Sequence, residues 1–189
     1  MSVENREFLQ EVMRKEIKDR KIPISLGKTC PVKCTFCYEM DHSYRQTFDM
    51  PLTTQEDWDF ILNEIIAFPT RATESWVLGG NEYMEWTDLA LHPKAMEWIE
   101  EFLEKTDKNI IMFSVGYFDP KRINRLAEKY PGRINFELSV ITLGSYRKQL
   151  MPKGPSVNQV LEVLDGPAVT SANFYSFGPG TMSEDAKTI

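Results

Sequence analysis

The sequence predicts an α/β chain organised as a partial (β/α) barrel of parallel strands with an N-terminal helix. Three observations carry that expectation: strand-like apolar runs alternate with amphipathic helical ones five times, the strand runs give way to glycine-rich or polar loops, and no repeat or flexible linker divides the 189 residues. Regular βα alternation implies parallel strands joined by helical crossovers, in an open doubly wound sheet or in all or part of a barrel. A full eight-unit barrel takes about 250 residues, roughly 31 per unit. The 168 residues from Ile22 to Ile189 therefore supply about five units. With 42% hydrophobic residues the chain can bury one real core, so the expected division is a helical extension over 1–21 and one core domain over 22–189.

In order, Phe8, Leu9, Val12, Met13 and Ile17 mark an amphipathic helix, and Ile22 to Leu26 reads as a short strand ending at Gly27. Thr53 and Glu56 have capping-box spacing ahead of a helix with Trp58, Ile61, Leu62, Ile65 and Ile66 on one face, ending near Pro69. Glu74 to Leu78 is the second strand, stopping at Gly79 and Gly80, and a helix near Pro93 turns Ala95, Ile99, Phe102 and Leu103 inward. Strand Asn109 to Val115 precedes a helix opened by Asp119 and Pro120, and strand Ile134 to Ile141 a helix opened by Ser156. Strand Ala168 to Phe177 precedes a helix near Ser183, within which the sequence stops without a terminating signal. A natural polypeptide that continues past Ile189 is the expectation.

The net charge of -6, with acidic residues spread along the chain, offers no footprint for a phosphate backbone, so nucleic acid is not an expected partner. No apolar run approaches the roughly 20 residues of a membrane span, and the N-terminus mixes charged with apolar residues, which points to a soluble cytoplasmic protein.

All three cysteines fall within eight residues, Cys30-Pro31-Val32-Lys33-Cys34-Thr35-Phe36-Cys37. An odd, clustered set is a poor disulfide framework and a good metal-binding one. One loop can wrap three thiolates around a face of a cuboidal iron–sulfur cluster and leave the fourth iron without a protein ligand. Such an open position separates a reactive metal site from a closed structural one. The competing set is a Cys3His zinc module completed by His42. Three unligated buried thiols fit less well, because Lys28, Thr29 and Lys33 make the loop polar.

The spacing C-x3-C-x2-C after a first strand, with aromatic Phe36 just before the third cysteine, resembles the signature of the radical S-adenosylmethionine (radical SAM) superfamily. The order of elements from Ile22 to Ile189 extends the resemblance, which implies a barrel of six units, five of them present. It also implies a [4Fe-4S] cluster on Cys30, Cys34 and Cys37, with S-adenosyl-L-methionine chelated at the open iron. In that superfamily an electron from the cluster splits the cosubstrate, and a 5'-deoxyadenosyl radical abstracts hydrogen from a substrate, here an unknown small molecule or peptide. Phe36 and Tyr38, beside Cys37, fall at the cofactor.

By the same resemblance, Gly79-Gly80-Asn81-Glu82 looks like the Gly-Gly-Glu motif that binds the methionine amino group, with Asn81 inserted before the acid; an ordinary strand-ending turn is the alternative. In the fourth strand a polar face of Asn135, Glu137 and Ser139 alternates with an apolar one, and the resemblance directs Ser139, with Glu137 second, to the ribose. Arg147 is similar in placement to a basic residue that pairs with the methionine carboxylate, against a solvent-facing arginine as the plain reading. Phe177, Gly178 and Gly180 look like an adenine-side segment, or a turn before a helix, while Asn173 and Tyr175 would line the lumen. A reductant protein of flavodoxin or ferredoxin type is implied, and a C-terminal domain or second chain to close the barrel. With no cysteine outside the loop, sulfur insertion and double methylation are disfavoured. A catalytically inactive radical-SAM-like partner subunit is the remaining alternative.

Overall fold

The computed structural model describes residues 3–27, 32, 34–36, 51–69, 74–79 and 88–175. The described chain runs α1 (Val3–Lys18), β1 (Lys21–Ile22), α2 (Gln55–Ala67), β2 (Ser75–Leu78), a 3-10 turn (Leu89–Leu91), α3 (Ala95–Lys105), β3 (Asn109–Ser114), α4 (Pro120–Lys129), β4 (Ile134–Val140), α5 (Arg147–Leu150), α6 (Val157–Leu164) and β5 (Val169–Phe174).

The five strands form one sheet in the order β1-β2-β3-β4-β5, each parallel to its neighbour. A doubly wound sheet reverses its strand order at a switch point; sequential order is the winding of a barrel wall. The alternation in the sequence left these two open, and the strand order decides for the partial barrel. The registers Ile22↔Leu78, Trp76↔Ile110, Ile110↔Ile134, Met112↔Phe136 and Ser114↔Leu138 set one row of side chains on a common face. Helices α1, α2, α3, α4 and α6 bury their apolar stripes there in a single core that includes Leu9, Met13 and Ile17 of α1. Phe136, fully buried, meets Phe118 edge-on with ring centroids 5.3 Å apart. The opposite face carries the alternate residues, among them Phe113, Glu137 and Ser139, and is the concave wall of the lumen.

Local chemistry sets the element limits, and differs from the sequence expectation in four places. β1 ends at Ile22 because Pro23 has no N–H for the ladder and the N–H of Ile24 turns back to the Ile22 carbonyl at 3.0 Å. The capping box falls one residue later than expected, on Thr54 and Asp57, because the hydroxyl of Thr53 is engaged with the backbone of Ser25. α3 begins at Ala95, two residues beyond Pro93, which sits in the turn that follows the 3-10 segment. The one-turn helix α5 was not expected, since four residues carry no periodicity to read. Elsewhere Asp119 caps α4 with Pro120 first in the helix, and Ser156 caps α6, as the sequence indicates. The continuation of the fifth strand to Phe177 and the helix near Ser183 lie outside the described residues.

Candidate active site at the carboxyl ends of the strands

The stem of the cysteine loop is clamped shut where it leaves and re-enters the fold. The N–H of Ser25 donates to Thr53 Oγ1 at 2.8 Å, the N–H of Thr53 donates to the Ser25 carbonyl at 3.1 Å, and Leu26 forms an antiparallel bridge with Leu52. His92 braces the same point. Its Nδ1 accepts from the N–H of Lys94 at 3.1 Å, so the ring proton resides on Nε2, which donates to the Thr53 carbonyl at 3.2 Å. Burial lowers the pKa of His92, in keeping with a neutral ring in this role.

Gly27 stands in the clamp with φ +63°, and a Cβ there would lie 2.3 Å from the Leu52 backbone nitrogen. Gly27→Ala is therefore expected to combine a left-handed backbone penalty with a backbone collision and to destabilise by about 2–4 kcal/mol, read as a lower urea midpoint at unchanged m-value.

The described part of the loop lies on the carboxyl end of the sheet. Val32 packs with Ile141 and Met151, and Cys34, half-buried, joins that cluster with Val115, Tyr117 and Leu150. The N–H of Thr35 donates to the Leu150 carbonyl at 2.9 Å, tying the loop to α5. Phe36 follows, 38% exposed. These contacts seat the second cysteine beside the exits of β3 and β4, the end at which barrel enzymes carry their chemistry.

The exit of β2 and the segment opened by Asp88 lie at the same end. Gly79 leaves β2 with φ +72° and its N–H on the Ile22 carbonyl at 3.1 Å. Asp88 stands where the chain re-enters the described fold, buried, its carboxylate accepting from Ser114 Oγ and the N–H of Val115, both at 2.8 Å, and from the N–H of Ala90 at 3.1 Å. Burial outweighs these three donors and pushes the Asp88 carboxyl up to about 6. Asp88 was missed at the sequence level; the available signal was an aspartate directly before the apolar Leu89-Ala90-Leu91 run, the position of a cap.

Ser139 and Glu137 lie on the lumen face of β4, half-buried, in register with Asn173 and Ser171 of β5. Asn173 and Tyr175 are exposed. A cavity of about 610 Å³ occupies the amino-terminal part of this face, lined by Ser75, Asn109, Arg133, Asn135, Glu137 and Ser171 among others.

Arg147 is buried, contrary to the solvent-facing reading. Its Nε donates to the Pro155 carbonyl at 3.0 Å, and its Nη1 to the carbonyls of Thr142 at 2.8 Å and Ile141 at 3.3 Å. The guanidinium thus braces the turn beneath the cysteine loop, and a carboxylate ligand would have to share it with these carbonyls.

Cys30, Cys37, Tyr38, His42, Gly80, Asn81, Glu82, Phe177, Gly178 and Gly180 lie outside the described residues. Among the described residues no three His, Cys, Asp or Glu side chains converge as a metal site, and no helix is long and apolar enough to cross a membrane. What is described of the loop suits an iron–sulfur cluster: a half-buried thiol on an apolar floor, anchored through the backbone of the next residue.

Fold and site together define the wall of a parallel (β/α) barrel whose open face mixes polar and apolar side chains, with the described part of the cysteine loop packed at its carboxyl end. Among solved structures this fold is shared by methylornithine synthase (PylB), with a TM-score of 0.50 and 17% sequence identity. The match covers 100% of this chain and 57% of that one, so the chain spans little more than half of the protein it resembles. Neither a protein-family model nor a curated protein matches the sequence.

Proposed function

We propose that the chain is the core of a radical SAM enzyme, in which Cys30, Cys34 and Cys37 hold a [4Fe-4S] cluster that reductively cleaves S-adenosylmethionine to start hydrogen abstraction from a small-molecule or peptide substrate. The observation that carries this reading is the coincidence of a C-x3-C-x2-C loop with the carboxyl end of a sequentially wound parallel sheet, where Cys34 is seated. The likeness in fold to methylornithine synthase, itself a radical SAM enzyme, supports it.

Bound there, the cluster supplies the electron that splits the sulfonium, while the chain holds and orients the partners and keeps water from the radical. Thiolates of the three cysteines would serve as ligands, and Val32, Ile141 and Met151 form the apolar floor on which Cys34 packs. Backbone at Gly79 and Gly80, with Asn81 and Glu82, receives the methionine ammonium, since glycine lets a ligand approach the main chain closely. Ser139, or Glu137 next to it on the same face, would offer a polar group to the ribose, and Phe177, Gly178 and Gly180 would serve the adenine. Substrate lies on the concave face past Asn173 and Tyr175.

Anaerobic reconstitution with iron and sulfide tests the reading. A four-iron centre whose electron paramagnetic resonance signal changes on adding S-adenosylmethionine, with 5'-deoxyadenosine formed under dithionite, is the expected result. A colourless protein holding one zinc, released by His42→Ala, would replace the proposal with the Cys3His module. Stoichiometric cosubstrate binding without 5'-deoxyadenosine would indicate an inactive partner subunit.

A further inference from the structure

We infer that the cavity on the open face of the sheet takes a small molecule bearing an ammonium group, held by the Glu137 carboxylate and the Phe113 ring; as the substrate site of a radical enzyme this rests on the proposed function. The argument starts from a carboxylate without a counter-ion. Glu137 is the one acidic residue in the five described strands, lies half-buried on the open face, and makes no hydrogen bond or ion pair among the described residues. The cations at the amino end of the sheet are committed elsewhere. Arg133 donates from Nη1 to the Leu103 carbonyl at 2.6 Å and from Nη2 to those of Thr106 and Lys108 at 2.9 and 2.6 Å, while Lys21 Nζ lies 3.6 Å from the Glu16 carboxylate. A partly desolvated carboxylate in this state gains most from a cation that a ligand brings.

The neighbours of Glu137 favour an ammonium over a metal ion. Phe113, its register partner on β3, is 40% exposed. Register partners on adjacent strands stand about 5 Å apart on one face, so the carboxylate and the ring can flank the same ligand atom. An alkylammonium is drawn to both, to the carboxylate by charge and to the ring by its quadrupole. A metal ion would need more charged ligands, and no three His, Cys, Asp or Glu side chains converge here among the described residues. From Glu137 toward the amino ends, the cavity of about 610 Å³ is lined by uncharged hydrogen-bonding groups of Asn135, Thr170 and Ser171, the Thr170 hydroxyl already bonded to the Asn135 amide. That volume suits a metabolite rather than a peptide. The two residues of strand from Glu137 to Asn135 span about 7 Å, the length of a short amino alcohol. The ligand therefore sets its ammonium at Glu137 and a hydroxyl or amide end at Asn135, which turns the carbons beside the ammonium toward the carboxyl end of the sheet. Ser139, two residues nearer that end, is left for the ribose.

The test uses aminobutanol as the probe, with butanediol as its neutral counterpart and hydroxybutanoate as its anionic one, each titrated into the full chain and followed by saturation-transfer nuclear magnetic resonance. Wild type should bind aminobutanol about tenfold more tightly than either counterpart, a comparison that needs no variant. Glu137→Gln, which keeps the size of the side chain, should weaken aminobutanol about tenfold and leave butanediol unchanged, and Phe113→Leu should weaken aminobutanol about threefold. Equal binding of the three probes, or undiminished aminobutanol binding in Glu137→Gln, would overturn the ammonium site. Dithionite-driven 5'-deoxyadenosine formation by wild type is read separately. Its absence beside selective aminobutanol binding removes the proposed function and leaves the ammonium site standing, whereas its presence without that selectivity removes the ammonium site alone.

Discussion

Replacing Cys34 by Ala is expected to abolish iron incorporation and 5'-deoxyadenosine formation while leaving the fold in place. Cys34 is half-buried and its contacts lie with the small cluster of Val32, Ile141 and Met151 rather than with the main core. Alanine keeps the Cβ and loses only the sulfur, so the cost in stability should be under about 1 kcal/mol. Function is another matter. A three-thiolate site reduced to two holds a cluster poorly, and an enzyme that loses its cofactor loses the whole of a rate enhancement worth about 8 kcal/mol or more. Iron analysis after anaerobic reconstitution, together with a urea melt of the apoprotein, separates the two effects. Background iron with an unshifted midpoint is the expected pair of results. Full iron content in Cys34→Ala would mean that the loop does not hold the cluster in the proposed way. His42→Ala should keep its iron, whereas a Cys3His site would lose its metal in both variants.

The fold was legible wherever the determining chemistry is local. Asp119-Pro120 and Ser156 announce α4 and α6 because a cap is a contact between residues three apart. The β4 alternation of Ile134, Phe136, Leu138 and Val140 reads directly as one buried face. Where a residue is recruited by a distant one, local reading slips. Thr53 has the spacing of a cap, but its hydroxyl serves Ser25, 28 residues away, and Thr54 caps α2 instead. Barrel and doubly wound sheets share the same βα pattern, so only the strand order distinguishes them. In the site, the cysteine motif was legible because its ligands are close in sequence. Asp88 was not, because its importance lies in Ser114 and Val115, two elements later. Arg147 was visible as a candidate, but the carbonyls that hold it come from two separate segments, Ile141 and Thr142 after β4 and Pro155 before α6, and no local pattern marks their convergence.

Asp88 carries the second large prediction, in two variants that test different forces. Asp88→Ala removes the acceptor from three donors at once and leaves the Ser114 hydroxyl and the N–H groups of Val115 and Ala90 without it in a buried place. Each orphaned buried donor costs about 1–3 kcal/mol, so a loss of about 4 kcal/mol is expected, large against the typical stability of a domain. Asp88→Asn keeps an acceptor oxygen and removes the ionisation. The folded-state pKa, raised to about 6 from the ordinary 3.8, means that the folded chain holds the Asp88 proton more tightly than the unfolded chain does. Below the ordinary value the carboxyl is protonated in both states and imposes no penalty. As pH rises from about 4 through 6 the unfolded state ionises first, stability falls, and above that range the difference of about two units amounts to about 3 kcal/mol. The stability advantage of wild type over Asp88→Asn should therefore shrink by that amount between pH 4 and pH 7, measured by urea unfolding at each pH. A constant difference would show that the three donors hold Asp88 ionised across the range. If the proposed function holds, Asp88, which is bonded to the end of β3 and stands just after the Gly79-Gly80-Asn81-Glu82 segment in sequence, is a positioning residue, and either variant should also raise the KM for S-adenosylmethionine more than it lowers kcat.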